Sequence, residues 1–138
     1  MEEFKIAADM KMIMVQATSF PDKITEAFLT LEKLDSTIPG RPFYGISWLG
    51  AGEEIIYNAA TPEKYDGEAA ALGCKDFTIQ KGNYACKTVA DFMKNPTQIG
   101  QAFEKLLALP EVNKAYPCIE YYKSPNEVIC MVHLLDQN

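Results

Sequence analysis

The sequence contains few of the residues that build metal, phosphate and nucleic-acid sites. It has one histidine and four cysteines, and no two cysteines form a C-x-x-C pair, which excludes a familiar zinc site. Lysine and arginine number 13 against 19 aspartate and glutamate, and the resulting net charge of −6 disfavours binding to a phosphate backbone. The glycines form no phosphate-binding loop, and Ser47 lacks the pair of flanking glycines of a nucleophile elbow.

Long apolar runs are also missing. No stretch approaches the roughly 18 residues that a membrane span needs, and the acidic amino terminus has no secretory pattern. We therefore expect a soluble, unprocessed, cytoplasmic protein with no membrane partner, no metal and no cofactor. A length of 138 residues with 48% apolar residues predicts one domain over 1–138.

Histidine and cysteine lie mainly in apolar, strand-like runs. His133 is typical of a core or edge histidine there. Cys86, Cys118 and Cys130 are expected to be reduced and buried as small hydrophobic side chains.

The chain matches itself at an offset of 75 residues without a gap. The spacing of three and four between matching positions predicts one amphipathic helix in each half, over 21–34 and 96–109, the second capped by Asn95. The matching pairs are Pro21 and Pro96, Ile24 and Ile99, Ala27 and Ala102, Phe28 and Phe103, Leu31 and Leu106, Leu34 and Leu109, and Pro42 and Pro117.

Strand patterns flank each predicted helix. They cover 11–18, 42–49 and 53–60 in the first half and 83–92, 117–123 and 127–135 in the second. The sequence thus predicts an α+β fold of two β-α-β-β repeats, about 1–60 and 75–138, joined by a linker over 61–74. Residues 75–80 are expected to extend the next strand. Antiparallel sheets that join or pack together would leave a central ligand groove along a pseudo-twofold axis.

The stretch "PCIEYYK" places an acid in a strand-like run. On a strand, Glu120 shares a face with Cys118 and Tyr122. One interpretation is a solvated acid on the wet face of a half-buried strand. The other is a pocket acid, whose pKa would be raised by removal from water.

Two short motifs resemble those of a known family. The run Gly82, Asn83, Tyr84 and Ala85, together with Glu120, Tyr121 and Tyr122, is similar to motifs of the GyrI-like effector-binding domains. These are ligand modules of bacterial multidrug-responsive transcription regulators, and they also occur as free-standing proteins. The resemblance implies an SHS2-like duplication, with the acid of the second motif at the floor of an aromatic-lined cavity that takes lipophilic cations.

The sequence departs from that family in three places. Residues 1–20 show only strand pattern, so no helix-turn-helix segment is predicted and we expect no direct binding of DNA. The segment "FMKNP" replaces the usual step before the second helix, and the end "HLLDQN" lacks the common Ile-Pro. We expect the rim of the groove to differ from that of better-known members.

Aromatic residues on the predicted strands complete the candidate site. Rings in a cavity present π faces to a cation, although core packing is the usual alternative. Tyr44 and Trp48 share one strand face with Ile46, and both are expected in the groove. The predicted ligand-binding residues are Glu120, Trp48, Tyr44, Tyr84, Tyr122 and Tyr57.

Three functions fit this pattern. The first is binding or sensing of a small amphipathic, lipophilic or cationic aromatic molecule. The second, implied by free-standing relatives, is hydrolysis of cyclopropanoid or similar electrophiles, with Glu120 as general base and Tyr84 or Tyr122 as proton donor. The third, inhibition of a topoisomerase-like protein partner, follows from the family name alone.

Overall fold

Eight antiparallel strands form one curled sheet in the computed structural model, which describes residues 2–135. Residues 1 and 136–138 lie outside this range. Residue 1 begins the first predicted repeat, and residues 136–138 end the second repeat and the segment "HLLDQN". Along the sheet the strand order is β1-β6-β8-β7-β3-β4-β2-β5. The strands are β1 (Glu2–Ile6), β2 (Met10–Gln16), β3 (Phe43–Leu49), β4 (Ile55–Pro62), β5 (Lys75–Ile79), β6 (Gly82–Ala90), β7 (Cys118–Ser124) and β8 (Glu127–His133).

Three α-helices accompany the sheet within the described residues: α1 (Ile24–Lys33), α2 (Glu68–Ala71) and α3 (Thr97–Leu107). The predicted apolar stripes are confirmed, because Ala27 and Leu31 of α1 and the matching Ala102 and Leu106 of α3 are buried. Both helices pack on the same face of the sheet, α1 over β2 and β4 and α3 over β6 and β8. The central strands β3 and β7 therefore lie between them.

Helix α3, the second of the two predicted helices, does not begin as the sequence suggested. Pro96, not Asn95, is its cap residue, and no side chain caps the helix. The Asn95 carboxamide oxygen instead accepts a hydrogen bond from the Thr97 hydroxyl at 2.8 Å. Proline fixes a helical φ at this position, so the first turn forms without the side-chain cap.

The opposite, helix-free face is buried by the curl of the sheet itself. Ile46, Ile119 and Met131 of the central strands are fully buried there, in one cluster with Ile6 of β1 and Ile79 of β5. Edge and centre of the same sheet thus contribute to one core. No helix within residues 2–135 combines the length and the apolar character needed to cross a membrane.

The predicted linker is more structured than expected. Its first residues end β4, and α2 follows. The Arg41 guanidinium fixes α2 by a two-pronged ion pair with Glu68, Nη1 to Oε1 at 2.8 Å and Nη2 to Oε2 at 2.9 Å. The hydrogen bonds from Arg41, ahead of the backbone N–H of Lys64, hold the pKa of the Glu68 carboxyl below its usual value.

The sequence suggested that residues 75–80 extend the following strand, and this prediction is wrong. The segment forms β5, which pairs with β2, whereas β6 pairs with β1 on the other side of the sheet. The two outermost strands are β1 and β5. Strand β1 precedes β2 in the chain but pairs with β6, and β5 precedes β6 but pairs with β2. Antiparallel pairing satisfies the backbone groups of β2 and β6, which would otherwise be open sheet edges.

Candidate functional site

The acid of "PCIEYYK" lies at the centre of the sheet. Glu120 on β7 stands directly opposite Gly45 on β3, and Cys130 on β8 flanks it on the other side. Paired residues share a face, and this is the helix-bearing face. Glu120 is only 8% exposed, so the interpretation as a solvated surface acid is wrong.

Two tyrosines bind the Glu120 carboxyl. The hydroxyl groups of Tyr57 and Tyr122 each donate to Oε1 at 2.7 Å, and their own oxygens lie 3.0 Å apart. The second carboxyl oxygen, Oε2, accepts no hydrogen bond from any residue in the range 2–135. We call Glu120, Tyr57 and Tyr122 the acid–tyrosine triangle.

The position of the triangle depends on a glycine. A Cβ at Gly45 would overlap both Tyr57 Oη and Glu120 Oε1, so any other residue would push these groups apart. Gly45 thus leaves the space in which the hydroxyl and the carboxyl meet.

The surroundings of the carboxyl are uncharged. Burial raises the pKa of Glu120, and the two tyrosine hydrogen bonds oppose the rise in part. Burial, with the nearby carboxyl, also raises the pKa of the Cys118 thiol to about 11 and that of Cys130 to about 12. No ion pair among residues 2–135 includes Glu120. The carboxyl is therefore largely buried, and no cationic group within residues 2–135 is paired with it.

Aromatic rings cover the triangle on the helix side. Phe28 of α1 meets Tyr122 and Tyr57 edge-on, with ring centroids 5.5 and 6.3 Å apart. Phe92 contacts Tyr122 at 5.5 Å, and Phe20 stacks on Tyr57 at 5.9 Å. The faces of such rings offer the negative potential that attracts cations.

An open groove of about 580 Å³ adjoins this aromatic cover between α1 and the end of β7. Phe28 and Phe92 line the groove and contact Tyr122 of the triangle. Tyr122 also lines the groove, so it links the groove to Glu120. Charged groups at the groove are Glu32, Arg41 and Lys123. Its other lining residues are Ile24, Thr25, Pro39, Gly40, Pro42, Phe43, Met93, Tyr121, Ser124 and Pro125.

A second depression, of about 630 Å³, lies near Lys11 and Asp66, which form an exposed ion pair at 3.0 Å. It contains none of the predicted site residues, and its lining mixes charged side chains with Met10, Pro62 and Tyr65. The described residues also contain no group of three or more His, Cys, Asp or Glu side chains arranged to bind a metal ion. The acid–tyrosine triangle and its adjoining groove are therefore the candidate site.

Half of the predicted ligand-binding residues lie elsewhere. Tyr44, Trp48 and Tyr84 are on the helix-free face, so the structure does not bring them together with Glu120. Tyr44 stacks on Tyr121 at 5.0 Å, and Trp48 is 37% exposed near the end of β3. The Tyr84 hydroxyl donates to the Gln80 carbonyl at 2.7 Å, which fixes the turn between β5 and β6.

Gly45 and the phenylalanine cover were not predicted as site residues. A signal for Gly45 was present, since the offset of 75 residues that relates Pro42 to Pro117 also relates Gly45 to Glu120. Phe28 belonged to the predicted apolar stripe of α1, but that pattern does not distinguish core from ligand contact. Phe20 lies in a loop, where periodicity gives no information. Phe92 ended the predicted strand 83–92, but the observed strand β6 ends at Ala90.

No protein-family model and no curated protein matches the sequence. Solved structures share the fold. SAV2435 bound to tetraphenylphosphonium has a TM-score of 0.64 at 9% identity, over 96% of this chain and 92% of that one. A Staphylococcus aureus MU50 protein assigned to transcription regulation gives 0.60 at 9%, over 98% and 97%. A hydrolase from Listeria innocua gives 0.55 at 12%, over 95% and 89%. Identities this low establish similarity of fold alone.

Proposed function

We propose that this protein binds small amphipathic molecules, and lipophilic organic cations in particular, at the acid–tyrosine triangle. The observation that carries the proposal is a buried carboxyl that is paired with no cationic group among the described residues and is covered by aromatic rings beside an open groove. An ionised carboxylate in such a site is unfavourable alone and is stabilised by an incoming positive charge. The aromatic faces add cation–π attraction of about 0.5–2 kcal/mol each.

The fold supports the same proposal. One protein of similar fold is bound to tetraphenylphosphonium, a lipophilic aromatic cation. We further propose that the chain forms a GyrI-like domain built by duplication. In support, the strand order β6-β8-β7-β3-β4-β2 reads symmetrically about the boundary between β7 and β3, where Gly45 faces Glu120.

Titration calorimetry with tetraphenylphosphonium tests the proposal. We expect Glu120→Gln, which keeps the shape and removes the charge, to weaken binding at least tenfold, or about 1.4 kcal/mol. Tyr122→Phe should weaken it less, through loss of one hydrogen bond to the carboxyl. Tyr44→Phe is the matched control, because it removes a tyrosine hydroxyl on the opposite face. Equal affinity of wild type and Glu120→Gln would refute the proposal.

Hydrolysis is the second candidate, favoured by the similar fold of the Listeria innocua hydrolase and by the raised pKa of Glu120. A carboxylate with such a pKa can accept a proton from water while the Tyr122 hydroxyl donates to a developing oxyanion. Incubation with cyclopropanoid and lactone compounds tests this reaction. Turnover that Glu120→Gln abolishes would support catalysis, whereas stable complexes without turnover would support binding alone.

A further inference from the structure

The acid–tyrosine triangle has three short oxygen–oxygen edges, and each hydrogen bond along them requires one proton. Two edges, from Tyr57 Oη and Tyr122 Oη to Glu120 Oε1, measure 2.7 Å, and the third, between the two hydroxyl oxygens, measures 3.0 Å. Burial and the adjacent carboxyl raise the pKa of both phenols, so each keeps its single proton.

The protonation state of Glu120 decides whether the protons suffice. With an ionised carboxylate, both phenolic protons point to Oε1, and two hydroxyl oxygens face each other at 3.0 Å without a proton between them. A neutral carboxyl supplies the third proton. In the neutral form Oε1–H donates to one phenol, and that phenol turns its own proton from Oε1 to the other phenol, which still donates to Oε1. Each of the three oxygens then donates once and accepts once.

The groups around the triangle also favour the neutral acid. The titratable groups that face Glu120 are Tyr57 from β4, Tyr122 and Cys118 from β7, and Cys130 from β8, and all are uncharged at neutral pH. Strand β3 contributes Gly45, and α1 contributes the Phe28 ring. The charged groups Glu32, Arg41 and Lys123 lie along the groove, and Arg41 is already bound by Glu68.

From this geometry we infer that the site exchanges a proton for its ligand. In the free protein Glu120 is neutral; an organic cation binds as the carboxyl ionises, and the O–H proton passes to solvent. An uncharged ligand with a hydrogen-bond acceptor, such as a phosphine oxide or an amide, binds instead to the protonated acid and releases no proton. The pH therefore selects between two ligand classes at one site. This inference depends on the proposed function.

Calorimetry in two buffers of equal pH and different ionisation enthalpy measures the exchange directly. Tetraphenylphosphonium carries a permanent charge, so any proton released on binding comes from the protein. Below the pKa of Glu120 in the free protein, we expect release approaching one proton per cation and an affinity that rises up to about tenfold per pH unit. Triphenylphosphine oxide should bind without release, and more weakly as the pH rises.

Two variants and one ligand-free measurement complete the test. Glu120→Gln should bind the cation weakly and without proton release, whereas Tyr44→Phe should behave as wild type. Carbon-13 NMR of the glutamate carboxyl, assigned by its loss in Glu120→Gln, should show a titration above the ordinary range. Cation binding that is independent of pH and buffer, or an ordinary titration, would overturn the inference while leaving the proposed function intact. Failure of both compounds to bind would overturn the two together.

Discussion

Gly45→Ala is the substitution whose effect the structure defines most sharply. The added Cβ would overlap Tyr57 Oη and Glu120 Oε1, and Tyr57 Cζ would lie 2.7 Å away. Both groups are enclosed, Tyr57 at 1% and Glu120 at 8% exposure, so neither moves aside without cost.

The expected magnitude follows from three contributions. Overpacking a closed site costs about 1–3 kcal/mol. Displacement of Tyr57 and Glu120 weakens two hydrogen bonds worth about 1 kcal/mol each. Loss of backbone freedom in the unfolded chain offsets about 0.5–1 kcal/mol of this. The net loss of unfolding free energy is about 3 kcal/mol, which lowers Tm by about 10 °C in a chain of this length.

Thermal and urea unfolding of Gly45→Ala measure this loss, and Gly100→Ala is the matched control. Gly100 lies within α3, and a Cβ there meets nothing within 4 Å, so alanine should stabilise the protein by about 0.5–1 kcal/mol. The cost of Gly45→Ala should also be smaller in a Tyr57→Phe background, where the nearest clashing atom is gone. A Tm within about 2 °C of wild type for Gly45→Ala, or strict additivity with Tyr57→Phe, would refute the reasoning.

The two buried carboxyls should respond to pH in opposite directions. Burial raises the folded-state pKa of Glu120, so its unfolded form ionises first, and wild-type stability falls as pH rises from about 4.5 to the folded pKa. The Tm of Glu120→Gln minus that of wild type should grow over this window; a constant difference would contradict the burial argument. Glu68→Gln breaks the Arg41 pair and should cost about 3 kcal/mol at neutral pH. Because the pKa of Glu68 is lowered, that cost should shrink as pH falls below about 4.5, and a pH-independent cost would count against the ion pair.

The sequence predicted the helices and the central strands well because their signals are local. The spacing of Ala27, Leu31, Ala102 and Leu106 specifies one buried face per helix, and the structure buries these positions. The pairing of β5 with β2 and of β1 with β6 depends on contacts between distant segments. Local alternation indicates that a strand exists but not which strand it joins. The short helix α2 is fixed by Arg41, which no periodicity indicates.

The site was predicted in part for the same reason. The motif around Glu120 identified the acid, and Tyr57 and Tyr122 prove to be its hydrogen-bond partners. Assigning Tyr44 to the other face needed the register of β3 against β7, which follows only from the pairing of Gly45 with Glu120. The roles of Glu120, Tyr57 and Tyr122 in ligand binding stay predictions.

The two outermost strands, β1 and β5, join the two halves of the chain in one sheet. Strand β1 leads into β2 yet borders β6, and β5 leads into β6 yet borders β2. If the connection between β4 and β5 were cut, the first fragment would carry β1, which pairs with β6 of the second. The second fragment would carry β5, which pairs with β2 of the first. Each half therefore completes the sheet of the other, as in a domain-swapped pair joined by a covalent link. The groove between α1 and the end of β7 takes residues from both halves, so it forms only when both are folded.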